Sequence, residues 1–113
     1  MNNLEHAILT ELENIKAQQV KVLDVRSLTN IADKMIIASG TSTRHTQAVA
    51  NKLIENLKKQ NFYPHTVEGK ANAEWILIDY VDIVVHVMMP EARQLYNLEQ
   101  LWTATQQARH NEN

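Results

Sequence analysis

Two apolar runs separated by one residue dominate the last third of this 113-residue chain: Trp-Ile-Leu-Ile-Asp-Tyr at 75–80 and Asp-Ile-Val-Val-His-Val-Met at 82–88, with Val81 between them. They read as a strand pair, apolar at consecutive positions near the middle, so both faces of the hairpin need cover. Pro90 stops the ladder. The turn is unusual, because a two-residue type I′ connection needs positive φ at both central positions and a β-branched residue is strongly disfavoured there. Val81 therefore predicts a wider or bulged turn.

Upstream, Leu4, Ile8, Leu12 and Ile15 recur at helical spacing with Glu5, Glu11, Glu13 and Lys16 between them, which predicts an amphipathic helix covering one sheet face. Residues 20–25 and 34–39 are short β-branched or aliphatic runs and read as strands, joined by a polar connection. Val49, Ala50, Leu53, Ile54 and Leu57 return to helical spacing within 43–60, after a Gly-Thr-Ser-Thr stretch whose hydroxyls can cap the first turn. Strand, helix, strand over 35–67 predicts a right-handed crossover, which leaves residues 66–68 parallel to 34–39. A last helix is expected at 92–109, displaying Leu95, Leu98, Leu101 and Trp102. The expected fold class is α/β: one small domain over residues 1–113, a mixed sheet of about five strands with helices packed on it, and 103–113 as a frayed helix end and tail.

A chain of this length buries about two thirds of its unfolded surface, enough for one core. A net charge of −2 and a pI near 6.2 argue against sequence-independent RNA or DNA binding, which needs a basic stripe. Cysteine is absent, which excludes disulfides and thiolate chemistry. No apolar run approaches the roughly 18 residues of a membrane span and the N-terminus lacks an h-region, so a soluble, cytoplasmic protein with no membrane partner is expected. The charge is also uneven. Residues 68–102 hold six acids against Lys70 and Arg93, a balance of −4, whereas residues 1–67 hold six acids against eight bases. That acidic window contains both tryptophans and two of the three tyrosines, and reads as a surface for a basic partner.

Gly40-Thr41-Ser42-Thr43-Arg44 lies where a strand meets a helix, a place where backbone N–H groups can bind phosphate. It lacks the Gly-Lys-Ser/Thr ending of a P-loop and the further glycines of a dinucleotide fingerprint, so a plain N-cap is the favoured reading. Asp79 and Asp82 flank a hairpin tip instead of lining one strand face, an arrangement unsuited to a shared cation. His6, His45, His65, His86 and His110 are scattered without zinc-ligand spacing. His86, among valines, reads as a satisfied sheet histidine and not as a titrating switch. No nucleophile elbow occurs, and no catalytic residue, metal or cofactor is expected. Trp75, Tyr80, Tyr96 and Trp102 are residue types that interfaces favour. Trp75 opens a strand after the polar stretch 70–74, where a bulky ring gains partial cover. Trp102 is open between core or dimer packing and partner contact.

The blocks Glu-Gly-x4-Glu-Trp-Ile-Leu-Ile-Asp-Tyr at 68–80, Asp-Ile-Val-Val-His-Val at 82–87 and Arg-x-x-Tyr-x-Leu-Glu-x-Leu-Trp at 93–102 resemble the ribosomal silencing factor family of bacteria, mitochondria and chloroplasts. So do Asp24-Val25, Asp33-Lys34-Met35-Ile36-Ile37-Ala38-Ser39-Gly40-Thr41-Ser42 and Arg44-His45, in the same order, which extends the resemblance over roughly residues 4–102. The family usually carries Gly where this chain has Val81. The resemblance implies a nucleotidyltransferase-like topology without its active site. It also implies a translational repressor that binds the large ribosomal subunit through ribosomal protein uL14 and sterically blocks joining of the small subunit when nutrients are limiting. Little direct RNA contact is implied. Carried onto matching positions, the implied partner contacts are Trp75, Ile76, Asp79, Tyr80, Arg93, Tyr96, Leu98, Glu99 and Trp102. Family members also tend to pair as homodimers, with Leu95, Leu98, Leu101 and Trp102 as the natural seam. The alternatives are a nucleotidyltransferase-like enzyme with a phosphate cradle at 40–44 and a plain dimerisation module.

Overall fold

The structure, a computed structural model, describes residues 3–27, 30 and 32–98. Strands β4 (Trp75–Asp79) and β5 (Ile83–Met88) form the expected antiparallel hairpin, and β2 (Lys34–Ser39) lies parallel to β5 on its other side. Strand β1 (Gln18–Asp24) adds antiparallel to β2, and β3 (Thr66–Glu68) adds antiparallel to β4. The sheet is mixed and five-stranded, in the order β1-β2-β5-β4-β3. Strand β5 is its centre, which explains why Ile83, Val85, His86, Val87 and Met88 are all buried. Strand β3 runs in the same direction as β2, as the crossover predicts, but the hairpin is inserted between them. The edges are poor templates for further pairing: β1 carries an irregularity between Gln18 and Lys21, with Gln19 at φ 50°, and β3 is three residues long.

Helices α1 (Asn3–Asn14) and α2 (Thr43–Lys58) cover one face of this sheet. Ala7, Ile8 and Leu12 of α1 and Val49, Ala50, Leu53 and Leu57 of α2 form one core with Ile36, Ala38, Ile76, Ile78, Tyr80, Ile83, Val85 and Val87. Two half-buried polar contacts register α1 against it: Lys34 Nζ to Glu5 Oε1 at 2.6 Å, and Asn56 Nδ2 donating to Glu11 Oε1 at 2.7 Å. Ser42 is the N-cap of α2, its hydroxyl accepting from the His45 N–H at 3.1 Å. A Cβ on Gly40 would fall within 2.7 Å of the Thr46 backbone nitrogen, so only glycine lets the strand turn this closely onto the helix.

The hairpin tip corrects the expectation of a wider or bulged turn: the strand register continues to Tyr80 opposite Ile83 and leaves a two-residue connection, Val81-Asp82, which is possible because only Val81 takes positive φ. The Tyr80 N–H donates to the Ile83 carbonyl at 2.9 Å, and the Asp82 N–H donates to the Tyr80 carbonyl at 2.9 Å, closing a γ-turn on Val81 at φ 75°. Asp79 Oδ1 accepts from the Val81 N–H at 2.7 Å. A β-branched residue held at positive φ stores strain that glycine would not.

The last helix differs from its expectation. Helix α3 spans Pro90–Tyr96 with Pro90 in its first turn, and Asn97 ends it in the left-handed conformation at φ 51°, ψ 51°, its N–H on the Arg93 carbonyl. Asparagine adopts that conformation readily, and it interrupts the apolar spacing that had suggested one helix over 92–109. The remainder of that stretch, with Leu101, lies outside the described residues. Among the described residues no helix is long and apolar enough to cross a membrane.

Candidate functional site

Alternation along β4 sends Ile76 and Ile78 to the helix-covered face and Trp75, Leu77 and Asp79 to the other. On that second face Trp75 pairs with Met88, and Leu77 with His86. Helix α3 folds back over the end of this face. Its Arg93 is buried and donates from Nη1 to Ser39 Oγ at the end of β2, 3.0 Å away. Its Tyr96 ring lies 4.7 Å from the Trp75 ring, tilted by 47°. Trp75 in turn donates its indole N–H to His86 Nδ1 at 2.9 Å. Burial pushes the His86 pKa down to about 4, so the ring is neutral and able to accept.

The loop before β4 sets Trp75 at the rim of the sheet. Gly69 sits at φ 88°, a Cβ there would collide with the Trp75 carbonyl, and the Ala73 N–H returns to the Gly69 carbonyl at 2.9 Å. The Met89 N–H reaches the Glu74 carbonyl at 2.9 Å, tying the loop to the start of α3. Beside the aromatic pair lies a groove of about 400 Å³ lined by Thr43, Glu74, Met89, Glu91, Ala92, Leu95 and Tyr96. Leu95 is 77% exposed and Tyr96 54%. Glu74 and Glu91 are also exposed, so the groove joins apolar surface to two carboxylates. Such a surface can hold a partly apolar, basic segment of another molecule.

Of the residues expected to form a contact surface, the fold brings together Trp75 and Tyr96, with half-buried Leu98 following directly after the Asn97 cap. Asp79 is half-buried at the far end of β4, about 13 Å along the strand from Trp75, with its carboxylate engaged in the turn. Three expectations are corrected. Ile76 is fully buried in the core, because it has the opposite parity to Trp75. Tyr80 is buried on the same face as Ile76, its hydroxyl has no partner among the described residues, and burial pushes its pKa up to about 12. Arg93 points inward to Ser39, so it serves the packing of α3. Glu99 and Trp102 lie outside the described residues. Glu74 and Glu91 were visible in the sequence as members of the acidic window, but nothing local marked them as groove residues, and Met89 and Ala92 carried no signal.

The stretch 40–44 behaves as a cap. The Thr41 N–H donates to His45 Nδ1 at 2.9 Å, which places the His45 proton on Nε2, facing the Ile15 carbonyl at 3.1 Å. Two of the groups a phosphate cradle would need, the Thr41 N–H and the Ser42 hydroxyl, are thus engaged within the turn. Among the described residues no group of three His, Cys, Asp or Glu side chains could hold a metal ion.

A family model described as ribosomal silencing factor during starvation matches residues 1–113, and the chain belongs to this family. It is 40% identical to the ribosomal silencing factor of Haemophilus influenzae over 84% of this chain and 93% of that protein. It is 35% identical to a mouse protein named mitochondrial assembly of ribosomal large subunit protein 1, over 85% of this chain and 43% of that one. A crystal structure of a Chromobacterium violaceum protein superposes with a TM-score of 0.86 at 37% identity, covering 91% of this chain and 88% of the other. The bacterial relatives are named as silencing factors and not as enzymes.

Proposed function

We propose that this chain is a translational repressor of the cytoplasm that binds the large ribosomal subunit through uL14 and, by occupying that face, blocks joining of the small subunit under nutrient limitation. Family membership supports the silencing role, and the name of the mouse relative supports the large subunit as the partner. The observation that carries the reading is the exposed Tyr96, packed at a tilt against Trp75 beside a groove edged by Glu74 and Glu91. Ribosomal proteins are typically basic, and a carboxylate-edged apolar groove complements them. Steric exclusion needs affinity and position but no reaction. The balance of −2 favours protein over RNA as the surface touched. Exposed Leu95 suits the same groove or a homodimer seam.

The test is sedimentation of the protein with purified large subunits, small subunits and intact ribosomes. Migration with large subunits alone, weakening as salt rises, is the expected result. Equal migration with both subunits would overturn the reading. A light-scattering assay of subunit joining then decides whether binding excludes the small subunit.

A further inference from the structure

Histidine is an odd choice for the centre of β5. His86 is 5% exposed, flanked across the sheet by Ile37 on β2 and Leu77 on β4, and its chain neighbours are Val85 and Val87. An aliphatic residue would pack there with no polar atom to satisfy. His86 instead buries an Nε2 with no hydrogen-bond partner among the described residues. Its other nitrogen, Nδ1, accepts the indole N–H of Trp75 at 2.9 Å. That bond dictates the protonation state, since a proton on Nδ1 would set two donors against each other. The ring is therefore neutral with its proton on the unpartnered Nε2. A buried donor without a partner is unfavourable, so the position favours what Nδ1 does over what Nε2 suffers.

What Nδ1 does is hold the indole. Trp75 sits at the rim, half-buried, with one polar atom in its side chain. With that N–H turned inward to His86, the remaining surface of the ring is hydrocarbon, and one part of it meets Tyr96. His86 lies within a fully paired strand, so its acceptor cannot follow a wandering indole. We propose that His86 is a positioning residue for the docking surface: it locks the Trp75 ring in the orientation that supports Tyr96 and presents an anchor with no free hydrogen-bond donor. The partner surface it suits is accordingly apolar opposite Trp75, with basic groups reserved for Glu74 and Glu91. This inference rests on the large-subunit reading above.

Two substitutions separate positioning from packing. His86→Leu removes the acceptor while keeping an apolar side chain in the sheet. His86→Asn keeps an acceptor close to the place of Nδ1. The measurements are hydrogen exchange of the Trp75 indole N–H by NMR, assigned with Trp75→Phe, the melting temperature, and affinity for purified large subunits. In His86→Leu the indole N–H should exchange at least about tenfold faster and affinity should fall about tenfold with the fold retained, while His86→Asn should recover most of both. Unchanged indole exchange in His86→Leu would overturn the proposal, as would faster exchange with undiminished affinity, or an equal loss in both variants. Should His86→Leu fail to fold, His86→Asn decides: a protected indole with near-native affinity supports positioning, and any other result overturns it. Failure of the unsubstituted protein to bind large subunits would sink the functional reading instead, and indole exchange would still judge whether His86 holds the ring.

Discussion

The two faces of the β4–β5 hairpin carry the same density of large side chains and serve different ends. Toward α1 and α2 lie Ile76, Ile78, Tyr80, Ile83, Val85 and Val87, all buried, and the Tyr80 hydroxyl is the one polar group among these side chains. Toward α3 lie Trp75, Leu77, Asp79, Val84, His86 and Met88, where the Trp75 indole N–H and the Asp79 carboxylate have defined partners, the His86 Nε2 has none among the described residues, and the cover is partial. The first face stabilises by removing hydrocarbon from water. The second uses hydrogen bonds to hold aromatic rings at a rim, which adds less stability but fixes a shape that another molecule can meet.

Substitution should separate the faces, and the largest effect belongs to the first. Ile78→Ala is expected to cost about 4 kcal/mol of folding stability, the scale of a fully buried aliphatic residue whose cavity cannot collapse. Urea unfolding checks this, and a cost below about 1 kcal/mol would break the distinction between core face and docking face.

Acid should come next, acting through the second face. Burial depresses the His86 pKa from 6.5 to about 4, so the unfolded chain binds more protons between those values. This stability is complete above pH 6.5 and is lost as pH falls, reaching about 3 kcal/mol near pH 4. His86→Leu should flatten that part of the pH profile. The surface pair of Asp24 and Arg26 acts in a separate window, because hydrogen bonds from Arg26 lower the Asp24 pKa from 3.8 to about 2, and its contribution disappears only as pH falls through that range.

A third substitution addresses binding. Tyr96→Ala should weaken large-subunit affinity by about 2 kcal/mol, roughly thirtyfold, with little change in melting temperature, since the ring is more than half exposed. A lower melting temperature with unchanged affinity would reassign Tyr96 to the fold. The smallest effect is expected at the tip where the two faces meet. Val81→Gly should stabilise by about 1 kcal/mol, because glycine relieves the positive φ at some cost in chain entropy. Thermal unfolding of that variant would test whether the γ-turn stores strain.

Much of this architecture was legible one element at a time. The helical spacing of α1 and α2, the hydroxyl cap before α2 and the hairpin all follow from residues close in the chain, because period and turn chemistry are local. The width of the turn does not, since Val81 takes the positive φ of a two-residue tip. The family resemblance was legible too, since its blocks run through those same elements. Parity could have gone further. Trp75 and Ile76 are adjacent on one strand and cannot face the same partner, so naming both as contacts was inconsistent with period two from the start.

Tertiary structure decided the rest, for reasons that no local window contains. The pairing of β2 along the other side of β5 makes His86 central and buried, where its ring can hold only a neighbour that the hairpin register sets beside it, Trp75. The left-handed Asn97 ends α3 and, with Arg93 anchored inward on Ser39, lays Tyr96 on the indole. Glu74 and Glu91 share a groove because the loop before β4 and the helix after β5 converge at one end of the sheet. Sequence determined which segments become strands and helices, because backbone sterics and apolar periodicity act over a few residues. The docking surface came from strand order and from the side of the sheet on which a short helix closes, and both are set by burial of the assembled core.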